Sequence, residues 1–285
     1  NMGDKLMMSR GVCVSAQTAI TTVRTCDGLH LSGTLVLPDG AGQAAVLVHG
    51  GGVTREEGGF FARLAAGLAE AGIASLRCDL RGHGDSEGRQ EDLTIAGILA
   101  DIRAAIASVC SRVGTDRVAL LGTSFSGGIC AYYAAQHPAE LASLVMLNPL
   151  LNYRKRLIDD KPYWHNGQIS DEAGRELLNQ GYLVHSPTFK LSRPLLNEVF
   201  YLQPHTVLGD IQAPTLIVHG TKDTFIPVES SRWAVQQLTT EHRFLEVEGA
   251  QHGFAVHDDP SYANPQSQQW QAGVIRAVAD WISCH

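Results

Sequence analysis

The sequence predicts an α/β chain: a mostly parallel eight-stranded sheet, opened by an antiparallel hairpin, with helices on both faces and a segment inserted late in the strand order. Three observations carry that prediction. Two strand-like runs with a turn signal between them stand near the start. Short apolar runs then alternate with helix-length amphipathic stripes, and the alternation stops between Asn148 and about Ile211 before it resumes.

Thr18 to Cys26 and Leu29 to Leu37 read as the two hairpin strands, joined at Asp27-Gly28, a pair that readily adopts the positive φ angles of a tight turn. Ala44 to Val48 is a buried strand that runs into His49-Gly50-Gly51-Gly52. Phe60, Leu64 and Leu68 recur at helical spacing up to Gly72, and Ile73 to Leu76 is the next strand. Ile95, Ile98, Leu99, Ile102, Ile106 and Val109 mark a second helix, followed by the strand Arg117 to Leu121. A third helix begins near Ser126 and ends at His137-Pro138, where proline disfavours a helical predecessor, and leads to the strand Leu144 to Leu147. After the inserted segment come the strand Thr215 to Val218, a helix from Val228 to Leu238, the strand Arg243 to Val247 and a last helix carrying Trp270, Val274, Val278 and Trp281. The predicted organisation is a core of residues 18–147 and 212–285, a cap of residues 148–211, and an N-terminal extension of residues 1–17 whose Asn1 ahead of Met2 reads as a vector remnant.

A chain of 285 residues with 44% hydrophobic and 18% charged residues buries a substantial core and is not of disordered composition. Its net charge of −7 opposes binding to nucleic acid, which needs concentrated positive charge. The one basic run, Arg154-Lys155-Arg156, is followed by Asp159 and Asp160 and reads as a solvated helix face. No apolar run approaches the roughly eighteen residues of a membrane span and no secretory signal is evident, so the expectation is a cytoplasmic protein without a membrane partner. Cys13, Cys26, Cys78, Cys110, Cys130 and Cys284 lack the spacings of a zinc site or a disulfide framework and read as reduced packing residues; no metal and no cofactor is expected. Whether the chain is a monomer or a homodimer is left open.

The chemistry-bearing residues fall at strand ends. Gly122-Thr123-Ser124-Phe125-Ser126-Gly127-Gly128 follows a strand and opens a helix, the context of a nucleophile elbow, in which a sharp turn between small residues pushes the central hydroxyl out of the sheet. Ser126 stands where glycine is usual, so it competes with Ser124 as the nucleophile; Gly122 and the pair Gly127-Gly128 favour Ser124. Both serines could also serve only as helix caps. Asp223, in Gly220-Thr221-Lys222-Asp223, follows the strand Thr215 to Val218 and reads as the acid of a triad or as a turn residue. His252, in Gly249-Ala250-Gln251-His252-Gly253-Phe254, follows the last strand and reads as the general base, with His257 the rival beside Asp258 and Asp259. The order Ser, Asp, His is the one this architecture uses. Gly51, with Gly52 the alternative, and the N–H of Phe125 read as donors to an oxyanion. His49, His83 and His219 read as structural, and His165 and His185 as histidines of the cap that could meet substrate.

His49-Gly50, the stretch from Arg77 to Gly88, the elbow, the Asp223 loop and the His252 loop together resemble the α/β-hydrolase superfamily, in its carboxylesterase branch near bacterial cinnamoyl and feruloyl esterases and serine aminopeptidase-like hydrolases. The resemblance covers nearly the whole core. It implies the α/β-hydrolase fold, acylation of Ser124 by a small or medium carboxylic ester, water attack assisted by His252, and no cofactor. It also implies that Arg81-Gly82-His83-Gly84-Asp85-Ser86 is a structural turn and that the cap holds the acyl or aromatic part of the substrate. Tyr153, Tyr163, Trp164 and Tyr182 could recognise that part or build the cap's own core. The alternatives are a thioesterase or acyltransferase acting on a carrier- or CoA-bound acyl group, and a non-catalytic binding protein.

Overall fold

The computed structural model describes residues 15–285; the expectations for Asn1 and Cys13 lie outside them. The sheet opens with β1 (Ala16–Arg24) and β2 (His30–Pro38), paired antiparallel, and continues with β3 (Gln43–Val48), α1 (Phe60–Glu70), β4 (Ile73–Cys78), α2 (Ile95–Val113), β5 (Val118–Thr123), α3 (Gly127–Gln136) and β6 (Leu141–Leu147). Between β6 and the next core strand lie two short ribbon strands β7 (Trp164–His165) and β8 (Gln168–Ile169), α4 (Asp171–Gln180), the hairpin β9 (Tyr182–Ser186) and β10 (Phe189–Ser192), and α5 (Arg193–Glu198). The core then resumes with β11 (Thr215–Gly220), α6 (Val228–Val235), β12 (His242–Val247) and α7 (Pro265–Cys284). Eight strands form one sheet in the order β1-β2-β4-β3-β5-β6-β11-β12, parallel from β4 to β12.

Local chemistry sets the element ends. Thr94 caps α2 by accepting the Gly97 N–H at 2.8 Å, and Gly114 ends the helix in the left-handed region at φ 77°. Ser170 and Ser192 cap α4 and α5 in the same way. The β1–β2 connection is longer than the two-residue turn expected at Asp27-Gly28. Thr25 accepts the Leu29 N–H at 2.9 Å and donates to Asp27, which closes a loop of residues 25–29 and stops β1 at Arg24. α6 is likewise shorter than expected, ending at Val235.

Central strands β3, β5, β6 and β11 are buried along almost their whole length, which is why they read as apolar runs rather than as alternating ones. One face of the sheet is covered by α1 and α7, through residues such as Leu64, Leu68, Val274 and Val278. The other is covered by α2, α3 and α6, and the core on that face continues into the insertion through Tyr153, Leu157, Leu183 and Leu195. Cys78 and Cys130 are buried packing residues as expected, whereas Cys26 and Cys284 are exposed; all five described cysteines are free.

Two ion pairs, one of them buried, fix the loop after β4. Arg81 lies between Asp101, whose side chain is 1% exposed, at 2.8 Å, and Asp27 at 2.7 Å, and so ties this loop to α2 and to the first hairpin. Removing one partner of such a pair strands the other charge in a poorly solvated place. Asp101→Ala should therefore lower stability in urea unfolding by about 3 kcal/mol, less than a full pair loss only to the extent that Asp27 retains Arg81.

Candidate active site

All four loops expected to carry chemistry leave the carboxyl ends of parallel strands, on one edge of the sheet. β3 pairs with β5 so that Val48 lies beside Gly122, which sets the glycine run after β3 against the turn after β5. At that turn Ser124 adopts φ 51°, a left-handed conformation that is costly for a residue with a side chain. A Cβ at Gly122 would lie 2.6 Å from Cys130 Sγ and 2.9 Å from the Ser126 carbonyl oxygen, so only glycine lets α3 return this closely over the strand.

Ser126 turns toward the glycine loop. It is fully buried and its hydroxyl donates to the His49 carbonyl, bonding the elbow to the glycine loop. Ser124 Oγ instead lies 2.9 Å from His252 Nε2, and His252 Nδ1 lies 2.7 Å from Asp223 Oδ2. Since a carboxylate accepts only, Nδ1 carries the proton and Nε2 is free to accept from Ser124.

Asp223 makes two sets of contacts. Its Oδ1 accepts the N–H groups of Phe225 and Ile226, each at 2.9 Å, which is a turn role, while Oδ2 takes His252. Burial works against its charge, but hydrogen bonds from His219 and His252, the His252 charge and the Ile226 N–H outweigh burial and hold the carboxyl well below the usual range. His219, expected to be structural, has Nε2 at 3.3 Å from Asp223 Oδ2 and 2.9 Å from the Ile226 carbonyl, and its Nδ1 meets Ser231 at 2.7 Å.

In the glycine loop, Gly50 N–H is taken by Glu57 and Gly52 N–H by His83 Nε2 at 3.0 Å. Neither Gly51 N–H nor Phe125 N–H has an acceptor among the described residues. His49 is structural as expected: it bonds the Gly50 carbonyl at 2.7 Å and accepts from Leu80 N–H at 2.9 Å, and burial pushes its pKa down to about 3. His83, in the stretch expected to be a structural turn, thus supports the glycine loop. Asp79 does so too, by accepting from the Arg55 and Asp85 N–H groups.

Ser124 and His252 line a cavity of about 330 Å³. Its aromatic wall comes from Phe125, Phe189, Phe225 and Tyr262, none of them the insertion tyrosines or tryptophan considered from sequence. Tyr153 is fully buried, donates to the Phe125 carbonyl and accepts from Ile129 N–H at 3.1 Å, so it braces the elbow from behind. Tyr163 and Trp164 pack against the core, and Tyr182 lies under the Lys190 ammonium at 4.4 Å. His185 lines the cavity, His165 is exposed, and His257 is 79% exposed beside Asp258. Phe225 meets the His252 ring edge-on at 5.3 Å. A neighbouring cavity of about 580 Å³ shares Leu150, Arg156, Phe225 and Ile226 with the first. Among the described residues no cluster of side chains could hold a metal ion, and no helix is long and apolar enough to cross a membrane.

Fold and site together define an α/β-hydrolase. Residues 41–186 match the family described as serine aminopeptidase, S33, and residues 199–281 match the dienelactone hydrolase family. The first match spans just over half of the sequence, and the chain belongs to that hydrolase family. It is 25% identical to a monoacylglycerol lipase of Mycolicibacterium smegmatis over 84% of this chain and 88% of that protein. It is 27% identical to a pimeloyl-[acyl-carrier protein] methyl ester esterase of Chromobacterium violaceum over 70% and 83%. Among solved structures, Est1E from Butyrivibrio proteoclasticus with ferulic acid bound is similar with a TM-score of 0.72 at 21% identity, covering 91% of this chain and 99% of that one. A likeness at that identity concerns the fold alone.

Glu57 is a site residue that sequence reasoning missed; its only signal is an acidic pair, Glu56-Glu57, in the loop that follows the glycine run. It lines the cavity, and burial raises its pKa to about 6 against the Gly50 N–H bond and the His252 charge, which both lower it. A carboxyl raised in the fold favours the protonated state, so its stabilising contribution is full below about pH 4.5 and lost as the pH rises through about 6. Glu57→Gln cannot ionise, and its stability relative to wild type in urea unfolding should rise across that window by about 1 kcal/mol, partial exposure having been allowed for.

Proposed function

We propose that this chain is a serine hydrolase that cleaves a small to medium carboxylic ester through an acyl-enzyme. The observation that carries the reading is the unbroken chain of contacts from Asp223 through His252 to Ser124, 2.7 Å and then 2.9 Å, opening into the 330 Å³ cavity. Ser124 Oγ attacks the ester carbonyl carbon while His252 Nε2 takes its proton, and Asp223 stabilises the imidazolium that results. The oxyanion is received by Gly51 and Phe125 N–H, which have no acceptor among the described residues. Collapse breaks the bond to the alcohol, which leaves with the proton from His252. Water then attacks the acyl-Ser124 carbonyl, again giving its proton to His252, and the acid is released as Ser124 recovers its hydrogen.

Residues 148–211 act as the cap in this reading, supplying Leu150, Leu157, His185 and Phe189 to the cavity wall. Relatives named for ester substrates support the same reaction class.

Treatment with a fluorophosphonate followed by peptide mapping should place one adduct on Ser124. Ser124→Ala should lose ester turnover by more than about 10³-fold, and Asp223→Asn should lose about 10⁴-fold in kcat because the imidazole then holds the wrong tautomer. Full activity in Ser124→Ala would remove it as nucleophile. Ser126→Ala should cost about 1–3 kcal/mol of stability in thermal unfolding, since it strands a buried carbonyl, while still accepting the fluorophosphonate on Ser124.

A further inference from the structure

The chain carries a net charge of −7, yet its insertion brings two cations, Arg156 and Lys161, into the lining of the cavity that holds Ser124 and His252. Arg156 lies within a π-helical turn, Lys155–Asp159, and Lys161 just beyond it; the turn is closed by a bond from Asp160 N–H to the Lys155 carbonyl at 2.8 Å. Such turns widen a helix by one residue and re-aim its side chains, and they are frequent at functional sites. Here the turn divides the basic run. Arg154 lies 3.8 Å from Asp159 and over the Phe200 ring, and Lys155 bonds Asp160. Arg156 and Lys161 have no carboxylate within ion-pair distance among the described residues, and neither is fully exposed.

A third group completes the cluster. His185 of β9 lines the same cavity, and its Nδ1 is buried without a hydrogen-bond partner. Burial, with the charges of Lys161 and Arg156 added, lowers its pKa to about 4, so the ring is neutral near pH 7 and can offer one N–H. The only carboxylate in the described lining, Glu57, bonds Gly50 N–H and lies close to His252. Much of the remaining wall is apolar: Phe125, Phe189, Leu150 and Leu157. Two unpaired like charges in a half-dry apolar cavity repel each other, and an anion relieves that cost, the guanidinium offering a fork that fits a carboxylate.

We propose that Arg156, Lys161 and His185 bind a carboxylate carried by the substrate itself. The preferred ester then bears a second, ionised carboxyl group, separated from the ester by a short apolar span. This rests on the ester-hydrolase reading of the same site.

The test compares kcat/KM in two arms at low salt. One sets monomethyl adipate against dimethyl adipate, placing the charge on the acyl side. The other sets the butyryl ester of glycolic acid against the same compound as its methyl ester, placing the charge on the alcohol side. The charged ester should be preferred by at least about tenfold in one arm, which identifies the side that carries the carboxylate. Added NaCl should shrink that preference, and Arg156→Gln or Lys161→Gln should bring the ratio close to one. Hexanoate should also protect Ser124 from a fluorophosphonate better than the uncharged hexanamide does. Neutral esters cleaved as well as or better than charged ones in both arms, with Ser124 still labelled, would overturn the carboxylate site alone. No cleavage in either arm and no labelling would overturn the ester-hydrolase reading and the inference with it.

Discussion

The parallel pairing of β3 with β5 is the constraint from which the site follows. It places Val48 beside Gly122 and so brings two loop beginnings, the glycine run and the elbow, to the same point above the sheet. Pairing alone would leave both loops free to splay. Ser126 closes the gap by donating to the His49 carbonyl, and Tyr153 holds the Phe125 carbonyl from the other side. The positive φ of Ser124 is tolerated because these bonds and the packing of Gly122 under Cys130 over-determine the turn. The departure from the usual elbow glycine at Ser126 is thus a cross-link in this chain.

The acid side is built by a different device. Asp223 is buried with every acceptor direction used, by the turn N–H groups on one oxygen and by two histidines on the other. A carboxylate so satisfied stays ionised beside His252 without needing solvent, and Phe225 meets the imidazole edge-on beside it. Asn148 joins this side to the sheet, since its side-chain oxygen accepts the Gly220 N–H at 2.9 Å at the mouth of the Asp223 loop.

The insertion has a double allegiance. Its apolar residues, Leu157, Leu183 and Leu195, continue the core of the α2–α3 face, which fixes it on the body of the molecule. Its polar residues divide between solvent and cavity according to a π turn that alters the helical phase by one residue. In the proposed reading, reaction class rests on the strand-end loops and selectivity on the insertion.

The sheet, its strand order along the chain and the triad candidates were legible in the sequence, because burial on both faces writes central strands as apolar runs and because nucleophile, acid and base must each follow a strand end. The Ser124 or Ser126 ambiguity was not resolvable there: both hydroxyls sit in the same seven residues, and only the pairing of β3 with β5 shows which one meets His49 and which one meets His252. Glu57 and His219 were invisible as site residues because their partners, Gly50 and Asp223, come within reach only through loop geometry. Arg156 was read with its neighbours as a solvated face because Asp159 and Asp160 follow the run, and it lines the cavity instead, in a turn wider than a regular helix. Sequence by itself determined which residue types stand at the strand ends. Tertiary structure decided which of them touch, because contact between residues 128 or 29 positions apart, as in Ser124 with His252 and Asp223 with His252, depends on the order of strands in the sheet and is recorded in no local pattern.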